Sequence, residues 1–111
     1  MNRTRNFTQT ISFDCESPEV LIGMLREWDE QQAAMDAMGY MGTRLLADRE
    51  CLDRYVMIVE FGVVDPDVSA ADEAMRNNRR EETKAFAARL RELVRDEPTY
   101  HHFDELYRTD F

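Results

Sequence analysis

The stretch Asp53-Arg54-Tyr55-Val56-Met57-Ile58-Val59-Glu60-Phe61-Gly62-Val63-Val64 decides how this chain folds. Successive side chains of an extended strand point to opposite faces. Tyr55, Met57, Val59 and Phe61 therefore share one face, and Val56 and Ile58 the other. Both faces are largely apolar, and β-branched and aromatic residues dominate, as in a strand buried on both sides. Such a strand belongs in the middle of its sheet, with helices on one face and something else on the other.

Working upstream, Tyr40 to Arg49 reads as a strand joined to the first stretch through Glu50-Cys51-Leu52. A connection this short makes an antiparallel hairpin. Earlier still, Phe7 to Cys15 alternates: Phe7, Ile11 and Phe13 on one face, Thr8, Thr10, Ser12 and Asp14 on the other, with Gln9 interrupting the apolar face. Between these strands Ser17-Pro18-Glu19 opens a helix, with Ser17 as cap, Pro18 at its first position and Glu19 near the positive end of its dipole. Leu21, Met24, Leu25, Trp28 and Met35 recur at helical spacing as one apolar stripe, and Gly39 supplies a left-handed terminus.

Downstream, Asp65-Pro66 repeats the cap-then-proline signal and predicts a helix to about Asn77. Asn78, with Glu81 three residues on, resembles a capping box that starts another helix. That helix carries Phe86, Ala87, Leu90, Leu93 and Val94 on one face, shows charges on the other, and is stopped by Pro98. Thr99 to Tyr107 forms the last strand, and the tail from Arg108 to Phe111 is either loose or reaches a partner.

The order β-α-β-β-α-α-β over residues 1–111 predicts one domain of the α+β class, with the ferredoxin-like split βαβ topology. Its four-stranded antiparallel sheet has the first and third strands at the centre. Helices cover one face, which leaves Val56 and Ile58 on the other. A domain of this size seldom leaves an apolar sheet face in water. A two-fold homodimer packed sheet on sheet is the expected remedy.

Composition narrows the classes further. The net charge of −9 repels phosphate backbones, so no nucleic-acid partner is expected. No apolar run approaches the roughly 18 residues of a membrane span, so no membrane partner is expected either. Met1 to Asn6 is polar and basic and does not read as a secretory leader, which makes a cytoplasmic location the expectation. The topology puts Cys15 and Cys51 at the same end of the sheet, yet in that compartment free thiols are favoured over a bridge. Their spacing fits no zinc pattern, and no metal site is expected.

The hairpin Gly42-Thr43-Arg44-Leu45-Leu46-Ala47-Asp48, running into Tyr55-Val56-Met57-Ile58-Val59-Glu60-Phe61, resembles the antibiotic biosynthesis monooxygenase-like family of dimeric α/β barrels. So does the segment from Asn78 to Leu93, with Glu82-Thr83 and Phe86-Ala87-Ala88-Arg89-Leu90, and so does the strand after Pro98. The resemblance implies a homodimeric barrel with a small cleft in each subunit, between helices and sheet. Some members oxidise aromatic polyketide-like phenols to quinones without metal or flavin. Others degrade haem, and others have no known reaction. Same-fold relatives include polyketide cyclases. The haem-degrading members use an Asn on the first strand and a Trp and a His on the second helical segment. Here the first strand offers only Asn6, at its very start, and residues 65–97 hold no Trp and no His. The resemblance therefore implies a cofactor-independent monooxygenase acting on an aromatic, polyketide-like molecule. Its alternatives are a cyclase, or a non-catalytic dimeric module that binds an apolar aromatic molecule or serves as a scaffold.

Oxidising a phenol without a cofactor needs a base or acceptor to help form the phenolate, and an apolar pocket for the ring. Trp28, the only tryptophan, lies on the inward stripe, where it either stacks on a ligand or packs the core. Gln9 points at the helices and either bonds a ligand, caps a helix end or meets a neighbouring side chain. His101 and His102 are the only histidines; as strand neighbours they face opposite sides, and either is a candidate base. Arg44 and Glu60 are charges inside apolar strands, which calls for a partner across the hairpin or the dimer interface, with ligand binding by Arg44 as the other option. Asn77 and Asn78 either serve the helix break or border the cleft with their amides, and Asn78 is the ligand-binding candidate of the pair. Met24, Met35, Met38, Met41 and Met57 either fill the core or line an adaptable pocket.

Overall fold

The computed structural model describes residues 5–34, 39–65 and 67–109. The elements run β1 (Phe7–Asp14), α1 (Pro18–Ala34), β2 (Tyr40–Ala47), β3 (Arg54–Phe61), α2 (Ala70–Asn78), α3 (Glu81–Leu93) and β4 (Thr99–Asp104). The sheet order is β2-β3-β1-β4, and every neighbouring pair is antiparallel. β3 and β1 are central, as the two-sided apolar pattern of β3 requires. This is the ferredoxin-like α+β arrangement.

Each strand's alternation sets what it contributes to each face. Phe7, Gln9, Ile11 and Phe13 of β1 point the same way as Met57, Val59 and Phe61 of β3, and all are buried. On these residues rest Leu21, Met24, Leu25 and Trp28 of α1, Ala70 and Ala74 of α2, and Phe86 and Leu90 of α3. Burying each of the larger side chains contributes about 1.5–3 kcal/mol. The opposite face holds Val56 and Ile58 from β3, Arg44 and Leu46 from β2, Thr8, Thr10 and Ser12 from β1, and His101 and Phe103 from β4. None of the described helices covers it.

Several boundaries differ from expectation, each for a local reason. The second helix begins at Ala70 rather than near Pro66, a residue outside the described set. Ser69 is its cap: the backbone there is extended, and Oγ accepts from the Asp72 N–H at 3.0 Å. Asp65 closes a turn instead, its carboxylate accepting from the Asp67 N–H at 2.9 Å and its carbonyl from Val68. The capping box at Asn78 does not form. Asn78 is the last residue of α2, and Arg80, which makes no side-chain capping bond, is the N-cap of α3.

α3 stops at Leu93, ahead of Pro98, because Val94 turns extended and pairs with Cys15. β2 and β4 are also shorter than expected, ending at Ala47 and Asp104. Beyond β4 the tail is tied back: Arg108 bonds Glu105 at 2.7 Å and Glu60 at 2.9 Å. Both cysteines are free, Cys15 buried and Cys51 exposed.

Gly39 has a φ of 78°, and a Cβ there would stand 2.7 Å from the Gly62 carbonyl oxygen. Glycine is required on both counts. The expected stripe of α1 continues into Gln32, which is buried although neither end of its amide finds a partner among the described residues. Met35 and Met38 lie outside that set. No helix among the described residues is long and apolar enough to cross a membrane.

Candidate active site

Between the covered sheet face and the helices lies a cleft of about 270 Å³. Its floor is Gln9 and Ile11 of β1, Met57, Val59 and Phe61 of β3, and Tyr100 of β4. Trp28 of α1, the two asparagines that end α2, and Thr83, Phe86 and Leu90 of α3 form the walls. Lys84, Ala87 and Arg91 complete the lining. Apolar walls with a few polar groups are the usual make-up of a small-molecule site.

Trp28 is held from three sides. Its indole N–H donates to Thr83 Oγ1 at 3.4 Å. Its ring meets Tyr40 edge-on at 5.3 Å and Phe86 at 5.7 Å between centroids. Tyr40 in turn donates its hydroxyl to Asp29 Oδ1 at 2.5 Å and lies 2.6 Å from Thr43 Oγ1. Burial, reinforced by the Asp29 carboxylate, pushes the Tyr40 phenol well above its usual range, so it stays neutral. A ring wall fixed this firmly costs a ligand little ordering entropy.

Gln9 faces the cleft, and its Nε2 lies 3.3 Å from His102 Nε2. The Gln9 amide is a donor, so with this orientation the imidazole nitrogen accepts. His102 stands opposite Gln9 in the β1–β4 register and stacks on Phe7 at 5.7 Å. It is thus one side chain removed from the cleft. His101 points to the bare face and stacks on Phe103 at 6.3 Å. The two histidines do face opposite sides of the sheet.

Arg44 is also on the bare face, 3.4 Å from Glu60 across the hairpin, and Glu60 meets Arg108 more closely at 2.9 Å. The fold therefore brings Gln9, Trp28 and Asn78 together, sets His102 behind Gln9, and separates His101 and Arg44 from the cleft.

The sharpest feature belongs to Asn77, for which the sequence leaves open the helix break and the cleft border, and which is not among the ligand-binding candidates. Asn77 is 4% exposed and lines the cleft, and its Oδ1 has no hydrogen-bond partner among the described residues. An unpaired buried carbonyl costs about 1–3 kcal/mol, which a ligand donor would return. Asn78 lines the cleft too, with its amide 4.0 Å from Met75 Sδ. A signal for Asn77 does exist in the sequence: Ala70, Ala74 and Asn77 fall at helical spacing, which puts a polar residue on the inward stripe of α2. Among the described residues no group of three His, Cys, Asp or Glu side chains is placed to hold a metal ion.

No protein-family model matches this sequence, and no curated protein does. Solved structures do match. A provisionally assigned antibiotic biosynthesis monooxygenase from Nitrosomonas europaea superposes with a TM-score of 0.72 at 12% identity, covering 95% of this chain and 94% of that one. A protein from Caulobacter crescentus with the same provisional assignment gives a TM-score of 0.72 at 9% identity, over 96% and 94%. SnoaB, a cofactor-independent oxygenase from Streptomyces nogalater, gives 0.66 at 19% identity, over 95% of each chain. The chain is therefore antibiotic-biosynthesis-monooxygenase-like in fold, as its hairpin and its α3 segment resemble. At these identities the likeness is one of fold.

Proposed function

We propose that this protein is a cofactor-independent monooxygenase that oxidises an aromatic, polyketide-like phenol in the cleft beside Trp28. The observation that carries the reading is the unpaired Oδ1 of Asn77, buried in an aromatic-walled cleft of about 270 Å³. An acceptor of this kind matches a phenolic O–H. The ring stacks against Trp28, and Asn77 orients the hydroxyl. The proton passes to water at the cleft mouth, and His102, which meets Gln9 on the cleft side of the sheet, is the imidazole closer to the site than His101. The phenolate is electron-rich enough to reduce dioxygen itself. One oxygen atom ends in the new carbonyl and the other leaves as water, with all electrons drawn from the ring-activated methylene. Likeness in fold to a cofactor-independent oxygenase supports the same chemistry.

We also propose that a second copy covers the bare face, where Leu46 is exposed beside Val56 and Phe103 is exposed on the edge strand β4. A cytoplasmic setting is part of the same reading and is supported by the two free thiols.

The test is incubation of the purified protein with anthrone- and naphthacene-type phenols under oxygen, following quinone absorbance and oxygen uptake. Turnover in the unmodified protein, lowered about ten- to a hundred-fold in Asn77→Ala, is the expected result. Ligand-induced thermal stabilisation without turnover would instead make the chain a binding module. Neither turnover nor a thermal shift would leave only a scaffold. Sedimentation at micromolar concentration should give twice 13.1 kDa, and a stable monomer would refute the dimer.

A further inference from the structure

The charge of the cleft runs against the charge of the molecule. Acidic residues outnumber basic ones by 23 to 14 over the chain. Yet the charged side chains that line the cleft are both cations, Lys84 and Arg91. Lys84 is the single lysine of the sequence; every other basic residue is an arginine. Both stand on α3 seven residues apart, which puts them on one helix face about 10 Å apart along the axis. Arg91 is only loosely engaged, its Nε 3.9 Å from Glu97 Oε2, and among the described residues no carboxylate comes within 4.0 Å of the Lys84 ammonium. Apolar walls beside a charge raise the field it projects into a cavity.

The cleft therefore presents three chemistries in one space: an acceptor at Asn77, a flat aromatic wall at Trp28, and cations on α3. Together they fit a ligand with a hydroxyl donor, an aromatic body and an anionic group. We infer that the cleft takes an aromatic hydroxy acid, with its carboxylate held by Lys84 and Arg91 and its phenol by Asn77. The inference rests on the reading of the cleft as a site for a phenolic ring and adds the charge of the molecule that enters it. The competing account is that Lys84 and Arg91 are ordinary solvated charges on an exposed helix face.

Calorimetric titration of the full chain with a hydroxynaphthoate and with its methyl ester separates the two. The ester keeps the ring and the phenol and loses only the charge. The acid is expected to bind about ten-fold tighter than the ester at low salt, the usual reward of a charge-assisted hydrogen bond. The preference should shrink as salt is raised. In Lys84→Gln combined with Arg91→Gln, both exposed positions, the ratio should fall to about one.

A second readout uses the single lysine. After reductive methylation with a carbon-13 label, the Lys84 dimethylamine signal should move on titration with the acid and not with the ester. Equal binding of acid and ester would overturn the anionic ligand and leave the aromatic cleft standing. Binding of neither would overturn both. A ten-fold preference that survives in the double variant, or a Lys84 signal that ignores the acid, would remove these two residues from the role.

Discussion

The two faces of the sheet share strands but carry opposite kinds of irregularity. On the covered side the background is apolar, and the exceptions are a few buried polar groups: Gln9 on β1, Gln32 on α1, and Glu73 and Asn77 on α2. On the bare face the background is mixed. Thr8, Thr10 and Ser12 run down its middle, and the exceptions are exposed apolar side chains, Leu46 opposite Val56 on one side and Phe103 on the far edge strand opposite Thr8. A polar group in an apolar enclosure asks for one well-placed atom, whereas apolar groups in an open surface ask for area. The small molecule and the second sheet proposed above each answer the irregularity of one face.

The contrast can be broken most forcefully from the covered side. Leu90 is fully buried on α3, between the cleft and the core. Leu90→Ala should cost about 2–5 kcal/mol of stability, read from urea unfolding midpoints. A loss under 1 kcal/mol would mean that the helices do not seal this face. On the bare side, Ile58→Asp should turn a dimer into a monomer in sedimentation while leaving the Trp28 fluorescence maximum unchanged, because Ile58 and Trp28 lie on opposite sides of the sheet. A shifted maximum would show that the bare face supports the core as well.

Asn77→Leu probes the covered face more finely. Replacing an amide whose buried oxygen has no partner among the described residues by an apolar group of similar size should leave the melting temperature equal or higher, yet lower turnover or ligand affinity about ten-fold or more. Loss of stability would mean that Asn77 holds the helix break rather than serving a ligand.

The smallest effect concerns Asp14, whose carboxyl is held below the usual aspartate range chiefly by its hydrogen bond to Arg54 at 2.6 Å. A depressed folded-state pKa favours the folded state above the ordinary aspartate value, and that contribution is lost as the pH falls through the lowered one. Arg54→Gln should therefore narrow the stability difference between neutral and strongly acidic solution, in acid titrations followed by circular dichroism. A curve that superposes on that of the unmodified protein would show the pair to be inert, as many exposed pairs are.

Much of this contrast was legible in the sequence. The period-two pattern of β3 and β1 sorts side chains between faces without any tertiary information, since strand geometry leaves no other choice. The stripe of α1 likewise places Trp28 inward. α2 was harder. Its run Ala70-Ala71-Asp72-Glu73-Ala74-Met75-Arg76-Asn77-Asn78 allows two inward faces, one through Ala71, Met75 and Asn78 and one through Ala70, Ala74 and Asn77. A helix turns about 100° per residue, so the choice decides which asparagine is buried. The structure takes the second face and leaves Met75 exposed.

By itself, then, the sequence determined the order of elements, the central place of β3 and β1, and the existence of one covered and one bare face. All of these follow from local periodicity. Tertiary structure alone decided that Asn77 is the buried asparagine whose acceptor is unpaired among the described residues, that His102 and not His101 backs onto Gln9, and that Lys84 and Arg91 reach the same cleft as Trp28. Those facts depend on the rotation of α2 and the docking of α3 against the sheet. Packing between elements distant in the chain sets both, and no local pattern records it.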